Sequence, residues 1–367
     1  MRIRKATKKY EAWVRKHAKL LAEDLALKHQ HMAEDPFPFL RATFYRWAQV
    51  WPEVCPDLAK APKVLAVGDL HVENFGTWRD ADGRLIWGVN DFDEVYAMSY
   101  ANDLVRLAVS AHLAIAANHL AVATEEACQA ILEGYADGLE KGGLPFVLEE
   151  HHAWLREVAM SELRHPVAFW AKMESLETFK GDVPKGARKA LEGLLPERGL
   201  PYRLAHRIAG LGSLGRERYV ALGDWHGGNV AREAKKLIPS GCVWAGPGRG
   251  NELLYEQILQ RAVRVRDPFV HLRGTWIVRR LAPHCSRIEL SSLPRKRDET
   301  RLLQAMGFET ANIHLGSQKA VRAVRADLKK RHGAWLHLAV KAMEKATRKD
   351  WEDWREAFRS KGPRATA

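Results

Sequence analysis

The chain has 367 residues, of which 46% are hydrophobic and 28% charged, and its formal net charge is +13 at pH 7. This length is sufficient for two domains or two lobes around a cleft, and the composition is that of an ordinary soluble globular protein. The four cysteines, Cys55, Cys128, Cys242 and Cys285, are far apart and form no CxxC pair. Their spacing excludes an obvious zinc module and favours a reducing compartment.

Two segments bear on export and on membranes. The basic N-terminus, residues 1–13, leads into no apolar segment, so we expect no secretory signal. The most apolar stretch, residues 107–123, is interrupted by His112, Asn118 and His119, which favours a buried helix over a membrane span. The sequence therefore predicts a cytoplasmic protein without a membrane partner.

The positive charge is distributed along the chain, with modest concentrations at residues 261–280 and 295–349. No zinc-finger, basic-zipper or RNA-recognition signature accompanies it. A solvated basic surface is the first interpretation, a site for an anionic substrate or nucleotide the second, and nucleic-acid binding the third.

The first hundred residues combine helices with short strands. Residues 10–33 have helix-forming composition and apolar positions three and four apart, which predicts a helix. Pro36 and Pro38 separate it from a second, aromatic-rich helix. Strand-forming runs follow at residues 64–69 and 85–91, and the Asp-Gly pair at 82–83 between them predicts a hairpin turn.

Composition changes twice along the rest of the chain. From residue 103 to about 194 the sequence is mostly helical, whereas residues 201–295 are richer in glycine and β-branched residues and include a predicted helix at 251–265. We therefore predict an α+β fold. Its three parts are a helical body at residues 1–200, a smaller α+β region at 201–295, and C-terminal helices at 296–367 that pack on the body.

Two acidic motifs follow strand-forming runs. In GDLHVEN, residues 68–74, Asp69 precedes Asn74 by five residues, the spacing of catalytic loops in kinase-like enzymes. There the Asp orients or deprotonates an attacking hydroxyl, and the Asn supplies a neutral oxygen to a metal ion. In NDFDE, residues 90–94, Asp91 and Asp93 are further carboxylates for Mg²⁺. We interpret the pair of motifs as half of a metal and phosphate site, although a plain turn would explain either motif alone.

Asp103 begins the next predicted helix, in the sequence YANDLVRLA. It has two interpretations, which are compatible. An acidic residue in a first helical turn is stabilised by the helix dipole. The same carboxylate could also bond the backbone of the catalytic loop.

GLGSLG, residues 210–215, is a second candidate ligand-binding loop. Its Gly210, Gly212, Ser213 and Gly215 lie between two strand-like runs. Because no helix follows, the pattern argues against a dinucleotide-binding Rossmann turn. A strand–glycine–strand arrangement instead lets the backbone approach ATP phosphates without an intervening Cβ.

A lysine for those phosphates follows 20 residues after Gly215, on the run VAREAKKL. Lys235 is the first choice and Lys236 the alternative. An acidic residue on the following helix would hold the lysine, with Glu256 preferred over Glu252. Solvated strand charges are the competing interpretation.

GDWHGGN, residues 223–229, repeats the Asp-to-Asn spacing of the first acidic motif. Gly227-Gly228-Asn229 are turn residues, and no partner such as NDFDE follows. We therefore interpret this segment as the turn between the glycine-rich strand and the lysine strand, with Asp224 and His226 as minor ligand candidates.

Taken together, these segments resemble an uncharacterised bacterial family within the protein-kinase-like and aminoglycoside phosphotransferase-like proteins. The resemblance rests on GDLHVENFG, GVNDFDE, NDLVRLAVSA, GLGSLGRERYVAL, AREAKKLIPS, VRRLAP and GFETANIHLGS, and extends over about residues 35–320. It implies that Asp69 is the catalytic Asp, that Asn74 and Asp91 are metal ligands, and that Lys235 binds phosphate. It also implies ATP and Mg²⁺ as cofactors, with an alcohol group as the phosphoryl acceptor.

The order of the motifs departs from that of ordinary kinases, because the glycine-rich loop follows the catalytic loop. We therefore expect a two-lobed kinase-like fold that is circularly permuted, with a helix-rich C-lobe and a small β-rich N-lobe-like insertion. The alternatives are a non-catalytic nucleotide-binding pseudokinase or sensor, a basic nucleic-acid-associated protein, and a metal-dependent hydrolase.

Overall fold

Helices dominate the first 60 residues of this computed structural model, which describes residues 1–149, 151–159, 165–246, 252–285 and 298–360. The N-terminal helices are α1 (Ile3–Val14), α2 (Ala22–Glu34), α3 (Pro36–Ala42), α4 (Phe44–Val54) and α5 (Pro56–Ala59). Four short strands then surround the acidic motifs: β1 (Lys63–Ala66), β2 (Phe75–Arg79), β3 (Leu85–Val89) and β4 (Tyr96–Ser99).

The middle of the chain is helical, as its composition predicts. Its elements are α6 (Tyr100–Ala116), α7 (Thr124–Lys141), β5 (Phe146–Val147), α8 (Ala153–Ala159), α9 (Pro166–Glu174) and α10 (Lys185–Glu192).

Strands return in the glycine-rich region before the chain ends in helices. These elements are β6 (Arg203–His206), β7 (Arg218–Trp225), β8 (Gly228–Lys236), α11 (Gly241–Ala245), α12 (Tyr255–Arg261), β9 (His271–Arg273), β10 (Trp276–Leu281), α13 (Glu299–His314), α14 (Gln318–Lys330) and α15 (Trp335–Arg359). The predicted α+β class is therefore confirmed.

The helix predicted at residues 10–33 is interrupted: α1 ends at Val14 and α2 begins at Ala22. Between them the backbone N–H of Leu21 donates to the carbonyl of Gly215 at 2.8 Å, and Leu20 forms an isolated bridge with Arg216. These long-range backbone bonds replace the helical ones. The break therefore comes from a partner almost 200 residues away, which local periodicity does not reveal.

All the strand pairs are antiparallel, in three sheets with the orders β1-β4, β2-β3-β5 and β6-β7-β8-β10-β9 among the described residues. The predicted turn at Asp82-Gly83 is present, with Gly83 at φ +79°, and it joins β2 to β3. The first strand of that hairpin was wrongly predicted, because β1 pairs with β4 instead.

A core of buried residues surrounds α6, whose residues from Tyr100 to Ala114 are all buried. Helix α13 crosses α7 at glycines: a Cβ on Gly134 would lie 1.8 Å from the carbonyl oxygen of Gln304, and one on Gly307 would lie 2.1 Å from that of Ile131. This close approach requires glycine at both positions. No described helix is long and apolar enough to span a membrane.

The five-stranded sheet is covered by helices on both faces. Successive residues of β7 point to opposite faces, so that Tyr219 packs with Leu191 of α10 whereas Val220 packs with Met173 of α9. Both helices precede residue 201 in the sequence. Part of the region also joins the core around α6, through Tyr255, Ile258 and Ile277 among others. The predicted boundary at residues 295–296 lies outside the described residues.

Candidate functional site

The two acidic motifs form neighbouring loops, one after β1 and one after β3. The Asn74 side chain joins them, because its Nδ2 donates to the backbone oxygen of Asp69 at 3.0 Å and to that of Asp91 at 3.2 Å. The backbone N–H of Asn90 donates in turn to the carbonyl of Asn74 at 2.8 Å. Asn74 therefore fixes the relative position of the two loops with its amide nitrogen, which leaves the amide oxygen to bind a cation.

Asp103 supports the first loop from beneath. Its fully buried carboxylate accepts hydrogen bonds from the backbone N–H groups of Val67 at 2.7 Å and Gly68 at 3.0 Å. His314 Nε2 lies 3.0 Å from the same carboxylate. Gly68 has φ +82°, and a Cβ there would lie 2.3 Å from the carbonyl oxygen of Glu94. Asp103 therefore accepts hydrogen bonds from the backbone of the first acidic loop, which agrees with the second of its two interpretations.

Asp69 is held by a buried arginine that the sequence pattern did not indicate. The Nε of Arg106, a residue with no exposed surface, donates to Asp69 Oδ1 at 2.9 Å. Burial raises the pKa of Asp69 to about 6, while the positive charge of Arg106 and its hydrogen bond oppose the rise. A carboxyl group with this pKa can act as a base near neutral pH.

Lys235 lies between the two carboxylates of the second motif. Its Nζ is 3.1 Å from Asp91 Oδ2 and 2.7 Å from Asp93 Oδ1, and its side chain is only 4% exposed. Lys236, on the opposite face of the strand, donates to Thr275 Oγ1 and lies over the ring of Trp276. Of the two lysines, Lys235 is therefore the one that faces the acidic loops.

The pKa values of the two carboxyl groups of NDFDE are shifted in opposite directions. Burial alone would raise the pKa of Asp91, but the adjacent Lys235 ammonium outweighs it and holds that pKa well below its usual range. Burial and the neighbouring charge of Asp91 raise the pKa of Asp93, and Arg216 lies 3.4 Å away from its carboxylate. Asp91, with 40% of its side chain exposed, is the ionised group open to the cleft.

The glycine-rich loop covers Asp69. Gly210 adopts φ +72°, a short 3-10 turn follows at Leu211–Ser213, and a Cβ on Gly212 would lie 3.4 Å from Asp69 Oδ2. Ser213 is engaged within the loop, where its hydroxyl bonds the Gly210 carbonyl and accepts from Arg218. The loop is anchored by Lys28 of α2, whose Nζ donates to the Gly212 carbonyl at 2.7 Å.

Four other candidates lie away from this cluster. Gly215 faces α2, and its carbonyl accepts from the backbone of Leu21. Glu256 is exposed in the first turn of α12, and the carboxylates within ion-pair distance of Lys235 are those of Asp91 and Asp93 instead. Asp224 and His226 form the exposed hairpin turn between β7 and β8, in agreement with the interpretation of residues 223–229 as a turn.

The two acidic loops and the glycine-rich loop line one cleft of about 260 Å³, through Asp69, Asn74, Asp91, Asp93, Gly210, Gly212 and Ser213. Lys235 contacts the Asp91 and Asp93 carboxylates of this cleft. Helix α9 contributes a further wall through Phe169, Lys172 and Met173, which sequence reasoning did not identify. The cleft is also rich in positive charge from arginines of the sheet region: Arg207, Arg216, Arg218 and Arg279. Carboxylates for a cation and cations for an anionic ligand therefore face the same space.

Fold and site together define an α+β protein with a mixed acidic and basic cleft between a helical body and an antiparallel sheet. A family described as uncharacterized protein conserved in bacteria (DUF2252) matches residues 20–165. The match contains both acidic motifs and Asp103, whereas the glycine-rich loop and Lys235 lie beyond it. No match was found among curated proteins or among solved structures.

Proposed function

We propose that this protein is an ATP- and Mg²⁺-dependent phosphotransferase with a circularly permuted, kinase-like arrangement of two lobes. The observation that carries the proposal is the contact of Lys235 with Asp91, which joins the sheet to the acidic loops. In protein kinases a glycine-rich loop covers the phosphates, a lysine on the third strand contacts them, and an Asp and an Asn hold the metal. Here the loop joins the first two strands of the sheet, and Lys235 is on the third, β8.

The residues of the cleft fit such a ligand. Asp91, Asp93 and the amide oxygen of Asn74 are the hard oxygen donors that Mg²⁺ prefers. The absence of a Cβ at Gly212 leaves the loop backbone close to Asp69, where a phosphoryl group would react. Arg216 and Arg279 add positive charge at the same cleft.

Each side chain then has a defined task. MgATP, when bound, would supply the phosphoryl group, and its cation would offset the negative charge of the phosphates. Asp91 and Asp93 would hold the cation, and Lys235 would contact phosphate oxygens. Asp69 orients the acceptor hydroxyl and accepts its proton, while Arg106 fixes the Asp69 carboxylate in position. The acceptor is the alcohol group of a small molecule or of a protein side chain.

A non-catalytic nucleotide-binding protein is the second candidate, and the ion pair of Asp69 with Arg106 favours it. A carboxylate that already accepts two charge-assisted hydrogen bonds from one arginine has less basicity to offer a hydroxyl. This candidate keeps the nucleotide site and lacks the transfer step. Nucleotide binding without turnover across a panel of alcohol acceptors would distinguish it from the enzyme.

ATP turnover by purified protein tests the proposal, with an Asp91→Ala variant and an Asp224→Ala control. Asp224 precedes Asn229 by the same spacing as Asp69 precedes Asn74, but it lies in an exposed hairpin. We expect Asp91→Ala to lower turnover by about 100-fold or more, because it removes a charge that stabilises the transition state. Asp224→Ala should leave turnover unchanged. Equal activity of the wild-type protein and Asp91→Ala would contradict the proposal.

A further inference from the structure

Three side chains with metal-binding donor atoms meet where α6, α7 and α15 pack together, outside the residues that line the cleft. They are His112 of α6, Cys128 of α7 and His337 of α15, and their donor atoms all lie within 4.8 Å of one another. Cys128 Sγ is 3.4 Å from His112 Nε2 and 3.9 Å from His337 Nδ1. His112 and Cys128 are buried, and the side chain of His337 is 13% exposed.

We propose that His112, Cys128 and His337 form a binding site for a zinc-like divalent cation. Zinc binds thiolate sulfur at about 2.3 Å and imidazole nitrogen at about 2.0 Å, so tetrahedral geometry places the two donors about 3.6 Å apart. The two observed sulfur–nitrogen distances, 3.4 and 3.9 Å, lie on either side of that value. Thiolate and imidazole ligands select zinc and its neighbours over Mg²⁺ or Ca²⁺.

The groups behind the two histidines support the same assignment. A metal-binding histidine usually donates its other ring N–H to a carboxylate or carbonyl, which fixes its tautomer and orientation. Here His112 Nδ1 lies 3.2 Å from Glu344 Oε2, and His337 Nε2 lies 3.0 Å from Glu125 Oε1. The contact of His112 is a hydrogen bond, whereas Nε2 of His337 is within ion-pair distance of Glu125 without forming a hydrogen bond. Each imidazole directs its other nitrogen toward Cys128.

A protonated histidine is the competing interpretation of His112. Besides the carboxylate on Nδ1, its Nε2 lies 3.1 Å from the carbonyl oxygen of Thr124. An imidazolium donates from both nitrogens and would satisfy both acceptors. With a cation on Nε2, Nδ1–H donates to Glu344, and the lone pair of Nε2 binds the cation in place of the Thr124 contact.

Protonation makes the binding dependent on pH. The two imidazoles bind a cation in their neutral form, whereas the Cys128 thiol must lose a proton when the cation binds. Zinc affinity should rise with pH, and one proton should be released per cation from Cys128.

The site has a structural rather than a catalytic consequence. It joins α6, the helix that carries Asp103, to α7 and α15, and its residues do not line the cleft. Three protein ligands leave a fourth position for water. Occupation should raise the free energy of unfolding with the logarithm of the zinc concentration above the dissociation constant, independently of nucleotide.

Zinc and cobalt titrations of the metal-depleted full chain test the proposal. We expect one Zn²⁺ per chain, a rise in Tm with zinc, and a thiolate-to-cobalt charge-transfer absorption when Co²⁺ is used as the probe. Stoichiometric binding with that absorption supports the site. No stoichiometric binding of either cation by the wild-type protein would overturn it, as would a cobalt spectrum without thiolate absorption.

Variants locate the bound cation. Cys128→Ala should abolish the thiolate absorption, and Glu344→Gln should weaken zinc affinity about 10- to 100-fold while leaving the three ligands intact. Cys55→Ala is the matched control, because Cys55 is also a buried free thiol but lies in a different part of the core. It should bind zinc like the wild-type protein. Unchanged zinc affinity in both Cys128→Ala and Glu344→Gln would overturn the proposal.

Discussion

Lys235 Nζ lies 3.1 Å from Asp91 Oδ2, although 144 residues separate the two in the sequence. The contact places the third strand of the sheet against the loop after β3, so that the glycine-rich loop covers Asp69. It creates one cleft from two regions that are far apart in the sequence. The proposed phosphotransferase depends on this contact.

The raised pKa of Asp69 predicts the pH dependence of turnover. Asp69 must be ionised to accept a proton, and its pKa is about 6. We therefore expect kcat/KM to rise about tenfold per pH unit below that value and to level off above it. A profile measured over roughly pH 5 to 8 checks this expectation, and a profile without an inflection near 6 would contradict it. Arg106→Gln removes the charge that lowers this pKa and should move the inflection to higher pH.

Glu309 of α13 predicts a pH dependence of stability. Its buried carboxylate accepts from the backbone N–H of Val89, at the end of β3, and from Asn312 Nδ2. Burial raises its pKa from 4.5 to about 7, with Arg264 opposing. The folded state therefore holds the proton more tightly, so the stabilisation is complete below pH 4.5 and is lost as the pH rises through about 7.

Replacement of that carboxyl by an amide should reduce this dependence. The rise in the pKa of Glu309 corresponds to about 3 kcal/mol of unfolding free energy as an upper value. Glu309→Gln should reduce the slope of the unfolding free energy against pH between those two pKa values, as measured by urea denaturation. A remaining slope comes from Asp69 and Glu94, whose pKa values burial also raises. A Gln variant with the wild-type slope would show that Glu309 is not responsible.

The crossing of α7 and α13 predicts a large effect from one methyl group. A Cβ on Gly134 would meet the carbonyl oxygen of Gln304 at 1.8 Å, so the helices must move apart. We expect Gly134→Ala to lower the unfolding free energy by about 1–3 kcal/mol, although alanine favours helices. Gly333→Ala, where nothing lies within 4 Å of the added methyl, is the control. Equal Tm values of the two variants in thermal unfolding would contradict this close approach of α7 and α13.

Local sequence patterns were sufficient for part of the site. The strand-end positions of Asp69 and Asp91 and the turn at residues 223–229 follow from runs of strand-forming residues and turn chemistry, which act over a few positions. Lys235 was preferred over Lys236 because it follows Gly215 by 20 residues, a spacing that left Lys236 as the alternative. The structure shows that the Lys235 side chain is the one that faces the carboxylates.

Long-range contacts account for what the sequence did not reveal. In the sequence, Arg106 does not differ from the other residues of a predicted helix. In the fold, its guanidinium contacts Asp69, which is 37 residues away in the sequence. The same reason explains the break between α1 and α2, where Leu21 bonds Gly215. Glu256 was chosen by analogy with a lysine-binding helix, but the carboxylates near Lys235 come from the loop after β3.

Binding of MgATP to variants of the two adjacent lysines tests whether Lys235 is part of a nucleotide-binding site. Calorimetric titration with MgATP should show binding to the wild-type protein and to Lys236→Met, whose replaced side chain contacts Thr275 outside the cleft. Lys235→Met, which removes the ammonium shared with Asp91 and Asp93, should weaken binding at least about tenfold, equivalent to about 1.4 kcal/mol. Equal affinity of the two variants for MgATP, or no binding to the wild-type protein, would contradict the account.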